Sequence, residues 1–158
     1  MKKIWILALA GAIIVGLLSC GQADQTETVP AETEGSNMIS VTYYHGDKWG
    51  NKLVEETGTI EKLTAQNLID LLAETGAIPE GIRVLNFQLT GDIITLNLSH
   101  EMQEAAEGKG SSGEYILMGS LVNTLLTAYD AEGIDLTSAG ARIQTGHDYY
   151  DYILEFYE

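Results

Sequence analysis

The stretch VLNFQLTGDIITLNL, residues 84–98, decides the fold. Leu85, Phe87 and Leu89 alternate with Val84, Asn86 and Gln88. Ile94, Leu96 and Leu98 alternate in the same way with Ile93, Thr95 and Asn97. A two-residue side-chain period on each side of Thr90-Gly91-Asp92 predicts two antiparallel strands joined by a tight turn.

Upstream, Met38–Tyr44 is rich in β-branched and aromatic residues and predicts a strand. His45–Asn51 reads as a turn and Lys52–Thr59 as a more polar strand. Thr64 is the expected N-cap of a first helix whose stripe is Leu68, Leu71 and Leu72, stopped by Gly76. Downstream, Ser99 is placed to cap a short helix over His100–Glu107. Ser111 and Glu114 then have the spacing of a capping box at the head of a second main helix. That helix should run to about Tyr129 with Met118, Leu121, Val122, Leu125 and Tyr129 on one face. Ile134–Thr137 and Arg142–Thr145 suggest a second hairpin. The order predicts an α+β two-layer sandwich, a small, mostly antiparallel sheet with two main helices on one face.

The beginning of the chain carries a different kind of information. Lys2 and Lys3 precede an apolar run, Ile4–Leu18, that ends in Leu17-Leu18-Ser19 before Cys20. A basic head and an apolar stretch of this kind make a secretory signal. The run is short of the ~20 residues needed to cross a hydrocarbon core. The Leu-Leu-Ser-Cys junction resembles a bacterial lipobox, in which the cysteine thiol receives a diacylglycerol. Cys20 is the only cysteine in the chain, so no disulfide can form within it. The predicted organisation is a signal peptide over 1–19, a lipidated Cys20 with an acidic linker over 20–37, and one domain over 38–158. The linker has too little apolar surface to offset the entropy of ordering it, and would reach roughly 20–25 Å from the membrane.

Of the 158 residues, 23 are acidic and 8 basic, a formal net charge of −15. Loss of Lys2 and Lys3 with the leader makes the remainder more acidic still. Nucleic-acid binding, which depends on cations neutralising phosphates, is excluded. A peripheral grip on anionic headgroups is excluded as well, leaving the acyl chains as the membrane anchor.

Motifs for catalysis are sparse. His45, His100 and His147 stand apart and lack convergent partners for zinc. Gly110-Ser111-Ser112-Gly113 does not match G-x-S-x-G, and Gly108-Lys109-Gly110-Ser111 lacks phosphate-loop spacing. No catalytic residue, metal or cofactor is therefore expected. One constellation suggests binding: Trp49 with Tyr149, Tyr150 and Tyr152 could form an aromatic platform for a glycan or peptide. Alternatively, Tyr152, Leu154 and Phe156 belong to an edge strand and face the core.

Ala77-Ile78-Pro79-Glu80-Gly81, the Gly91-Asp92 turn, Ser99-His100-Glu101, Gly110-Ser111-Ser112-Gly113-Glu114 and Val122-Asn123-Thr124-Leu125 follow one another in an order that resembles the GerMN domain. That domain occurs in sporulation and spore-germination lipoproteins of Gram-positive bacteria. The resemblance spans roughly Val41 to Thr145 and leaves the Gly146–Tyr157 tail unmatched. It implies a fold akin to ring-building motifs and a non-catalytic role in envelope assemblies. The expected location is the outer face of the cell membrane. Expected partners are the membrane through the diacylglycerol, and an envelope protein or a second copy of the chain. Binding to cell-wall glycan is the rival function, and cell-wall hydrolysis a third.

Overall fold

The computed structural model describes residues 37–158. The leader, Cys20 and all of the linker but Asn37 lie outside the described residues. Eight elements follow in order: β1 (Ile39–Gly46), β2 (Leu53–Ile60), α1 (Ala65–Glu74), β3 (Val84–Thr90), β4 (Ile93–Leu98), α2 (Glu101–Ala106), α3 (Ser111–Tyr129) and β5 (Gly133–Ser138). The α+β class stands, with the strands divided into an antiparallel pair, β1-β2, and a three-stranded sheet in the order β3-β4-β5.

Helix α1 begins where the sequence places it. The Thr64 hydroxyl accepts from the Asn67 amide at 3.1 Å, satisfying a donor the helix leaves free. Gly76 takes a left-handed φ of 75°, and Ala77 N then donates to the Leu72 carbonyl at 2.8 Å, a C-cap that glycine makes easy. Leu68, Ile69 and Leu72 from this helix join Ile94, Leu96 and Leu98 from β4 and Leu121 and Leu125 from α3 in one core.

The hairpin over 84–98 forms, but its two strands differ. Ile94, Leu96 and Leu98 are fully buried, while Leu85 is 55% and Leu89 41% exposed. The cause is twofold. A register irregularity between Val84 and Asn86 sets Leu85 apart from the alternation, and Val84 pairs with Leu98 instead. β3 is also the outermost strand, so one flank has no strand beside it and meets only Gln66 of α1, at the Val84 amide.

The expected second hairpin does not form. β5 runs parallel to β4, pairing Ile94 with Ile134 and Leu96 with Leu136, and the connection passes through α2 and α3. This arrangement stacks two apolar rows on the core face. Ala139 and Gly140 take left-handed turns, and only one bridge, Ser138 to Ala141, follows before the chain departs.

Helix α3 is also buried more completely than a one-faced stripe predicts. Every residue from Leu117 to Leu126 is buried. Ser120 is buried there with its hydroxyl unpartnered, whereas Asn123 and Thr124 find partners: the Thr124 hydroxyl accepts from the Tyr44 amide of β1 at 2.9 Å. The Asn123 side chain donates to the Tyr157 carbonyl and accepts from the Tyr157 amide, both at 2.8 Å. The pair works as a side-chain imitation of a β-bridge. β1 lies so close to α3 that a Cβ on Gly46 would sit 2.8 Å from an Ile116 methyl.

Replacing Asn123 with Ala leaves both Tyr157 backbone groups without partners, at a cost of about 1–3 kcal/mol. Urea unfolding should register that loss, and hydrogen exchange at Tyr157 should accelerate more than exchange in β4.

Candidate interaction surfaces

The four residues expected to form an aromatic platform part company in the structure. Trp49 stands on the β1–β2 turn, 70% exposed, with the Lys48 ammonium 4.0 Å from its ring centroid, a cation–π contact. The turn is held by the Asp47 carboxylate, which accepts from the amides of Trp49 and Asn51. Tyr149 and Tyr152 are exposed on the tail. Tyr150 is 4% exposed and cannot serve as a surface residue, a correction to the expected platform. The competing edge-strand alternation fails too, since Leu154 is buried while Tyr152 and Phe156 are exposed.

Tyr150 points inward because Glu114 does. Helix α3 starts with Gly110 as its N-cap and has no side-chain cap, one residue earlier than the expected capping box. That offset turns Glu114 away from the helix end and into the interior. There its Oε1 accepts from the Tyr150 hydroxyl at 2.6 Å and the Thr145 hydroxyl at 2.7 Å. The Tyr150 phenol is pushed well above its usual range, first by burial and then by this bond. Tyr152 is raised to about 12 by burial and by its bond to Asp148, and Tyr157 is raised chiefly by burial.

Two of the three histidines lie beside carboxylates. His45 Nε2 lies 3.3 Å from Glu56 and His100 Nε2 lies 3.8 Å from Glu104. Among the described residues no group of three or more His, Cys, Asp or Glu side chains is arranged to hold a metal ion, and no helix is long and apolar enough to cross a membrane. Gly76–Pro79 on one side and Lys109 and Gly113 on the other line, with Gly50, an open cleft of about 370 Å³. This cleft joins the loops beside Trp49.

The sheet edges are unequal. The flank of β1 away from β2 meets α3, through Tyr44 N and Thr124. The flank of β5 is bridged by the tail, since Ile134 N donates to Leu154 O at 2.8 Å and Leu154 N to Ile134 O at 2.9 Å. β2 carries Glu55 and Glu56, and charge of this kind discourages strand addition. The Tyr43 hydroxyl donates to Glu56 at 2.8 Å; that bond and His45 hold the carboxyl below its usual range. β3 is protected only at its start, where Gln66 Oε1 of α1 accepts from the Val84 amide at 2.7 Å. It is VLNFQLT, without a charged residue, and the exposed Leu85 and Leu89 lie on it. Sequence reasoning could have found this edge by asking which strand lacks charge, but exposure of Leu85 and Leu89 depends on the bulge and the strand order.

Residues 22–144 match the family model described as Germane: Sporulation and spore germination. The chain belongs to the Germane family. The match begins inside the stretch expected to be linker and ends before the Tyr149–Glu158 tail. A 2.5 Å crystal structure of a Clostridium perfringens protein assigned as a lipoprotein has a similar fold, at TM-score 0.50 and 16% identity over 75% of this chain and 87% of that one. The tandem GerMN domains of the Bacillus subtilis sporulation protein GerM are similar at TM-score 0.52 and 13% identity, over 75% of this chain. This chain spans 44% of the tandem structure's length. No curated protein matches the chain. The family and both structures agree with the GerMN-type fold expected from the motif order.

The raised tyrosines make stability fall at high pH. An unfolded tyrosine ionises near 10.0, whereas folded Tyr150 keeps its proton further up. The folded state therefore binds more protons above that point, so this contribution is complete below pH 10 and is lost as pH rises through the folded value. Urea midpoints measured from pH 8 to 12 should decline beyond pH 10, and Tyr150→Phe should flatten the decline.

Proposed function

We propose that this Germane-family chain is a lipid-anchored, non-catalytic assembly module of the cell envelope, held outside the cytoplasmic membrane and acting through contact with other proteins. The observation that carries this reading is the β3 flank, which Gln66 of α1 covers at the Val84 amide but which beyond that has no strand beside it, carries no charge and bears the exposed Leu85 and Leu89. Extended partners add to such edges through main-chain hydrogen bonds, with alternate side chains giving selectivity. The anchor reading rests on Leu17-Leu18-Ser19-Cys20 and is supported by likeness in fold to a protein assigned as a lipoprotein. A role in sporulation or germination draws its support from the family description. Tethering also confines the domain to a thin layer, where raised effective concentration lets a modest interface suffice.

Two experiments test the two halves. Cys20→Ala should move the protein from the membrane fraction to the soluble fraction and abolish incorporation of labelled palmitate. Retention at the membrane without label would refute the lipid anchor. Photo-crosslinking from position 88 in living cells should trap a protein adduct that Leu89→Lys removes. If no adduct forms from β3, the edge is not the docking surface.

A second reading, binding of cell-wall glycan, is favoured by Trp49 alone, which is 70% exposed and whose chain neighbour Gly50 lines the cleft. Trp49→Ala should then abolish sedimentation with wall fragments at an unchanged melting temperature. Wild-type protein that fails to sediment would dispose of this alternative.

A further inference from the structure

The identity of the partner at β3 can be argued from the strand itself, on the reading that this edge is the docking surface. β3 contains no charge, but it is bounded by Arg83 on one side and by Asp92 beyond the turn. Arg83 is largely exposed and makes one long contact, 3.6 Å to Glu101; Asp92 is exposed as well. Antiparallel pairing of two identical strands sets the Arg83 end of each beside the Asp92 end of the other. The two ends of the interface then gain opposite-charge contacts by the same symmetry operation. A foreign acidic or basic segment would find complementary charge at only one end.

The rest of the molecule narrows the choice further. At a formal net charge of −15, two copies repel each other over most of their surfaces. The uncharged β3 flank is where that repulsion is least. Growth of one sheet onto the next, β3 against β5, is obstructed because Leu154 already exchanges both backbone hydrogen bonds with Ile134. Beside it a Cβ on Gly133 would sit 2.4 Å from an Ile153 methyl, a measure of how closely the tail covers this flank. With β5 covered, β2 guarded by Glu55 and Glu56, and β3 open beyond Val84, sheet continuation is favoured from β3 to β3.

We infer that β3 pairs antiparallel with β3 of a second copy, joining two three-stranded sheets across a two-fold axis and closing the assembly at two. Leu85 and Leu89 of both copies lie along the seam. The tail sets the stoichiometry, by denying the neighbour a second edge.

All of the core residues lie between Val41 and Leu154, and Gly35–Glu158 is a compact unit, so this portion can be examined alone. Light scattering over rising concentration should show its mass double and then stop. Leu89→Lys should hold it at the monomer mass with an unchanged circular-dichroism spectrum. R83D alone places acid against acid, and D92R alone places base against base; each should weaken dimerisation at least tenfold. The double variant R83D/D92R should restore it, because the ends are again complementary. A body that stays monomeric at every concentration, or a dimer indifferent to Leu89→Lys, would overturn the inference. Loss in both single variants without recovery in the double variant would also overturn it. Should the body be monomeric while the cellular β3 adduct contains a different protein, the docking edge survives and only the second copy is wrong.

Discussion

Helix α3 has no solvent face through its middle, and the rest of the domain is arranged to satisfy that condition. From Leu117 to Leu126 every side chain is enclosed, which requires packing partners on all sides rather than along one stripe. β1 supplies one wall, α1 another and the tail a third. Enclosure also traps Asn123 and Thr124, and buried polar groups of this kind are costly unless bonded. Their bonds go to backbone rather than to other side chains: Thr124 to Tyr44, Asn123 to Tyr157. The same side chains that would weaken the helix interior therefore fasten the neighbouring elements to it.

Glu114 extends this logic to the head of α3. Its carboxylate is enclosed and takes hydroxyl donors from Thr145 and Tyr150. The tail is thus fixed near one end of the helix by Glu114 and further along by Asn123. Between these points Leu154 reaches the flank of β5. The tail lies beyond the family match, which ends at residue 144, but it is integral to this chain's core. It covers one sheet edge while β3 beyond Val84 is left without a strand beside it.

Much of this was legible in the sequence. Alternation over 84–98 gave the hairpin, Thr64 and Gly76 gave the bounds of α1, and the motif order gave the family. What escaped was non-local. Parallel pairing of β5 with β4 is decided by the helices between them, whereas the local pattern Ile134–Thr145 with its Ser-Ala-Gly-Ala turn is equally compatible with a hairpin. Glu114 could not be placed because a one-residue shift in the helix start separates a solvent-facing cap from an interior acceptor. Tyr150 followed Glu114 inward, so an aromatic cluster evident in composition was dispersed in space. The edge of β3 was hidden for a related reason: a bulge altered which leucines the strand presents.

Strand order also shapes how the chain reaches this structure. β1 with β2 and β3 with β4 are near neighbours in sequence and close small loops. β5 must instead find Ile93–Leu98 from beyond two intervening helices, pairing Ile93 with Gly133. Topologies rich in contacts so distant along the chain fold more slowly than those built of local ones. The parallel pairing therefore carries a loop-closure cost that a fold built of hairpins alone would not meet.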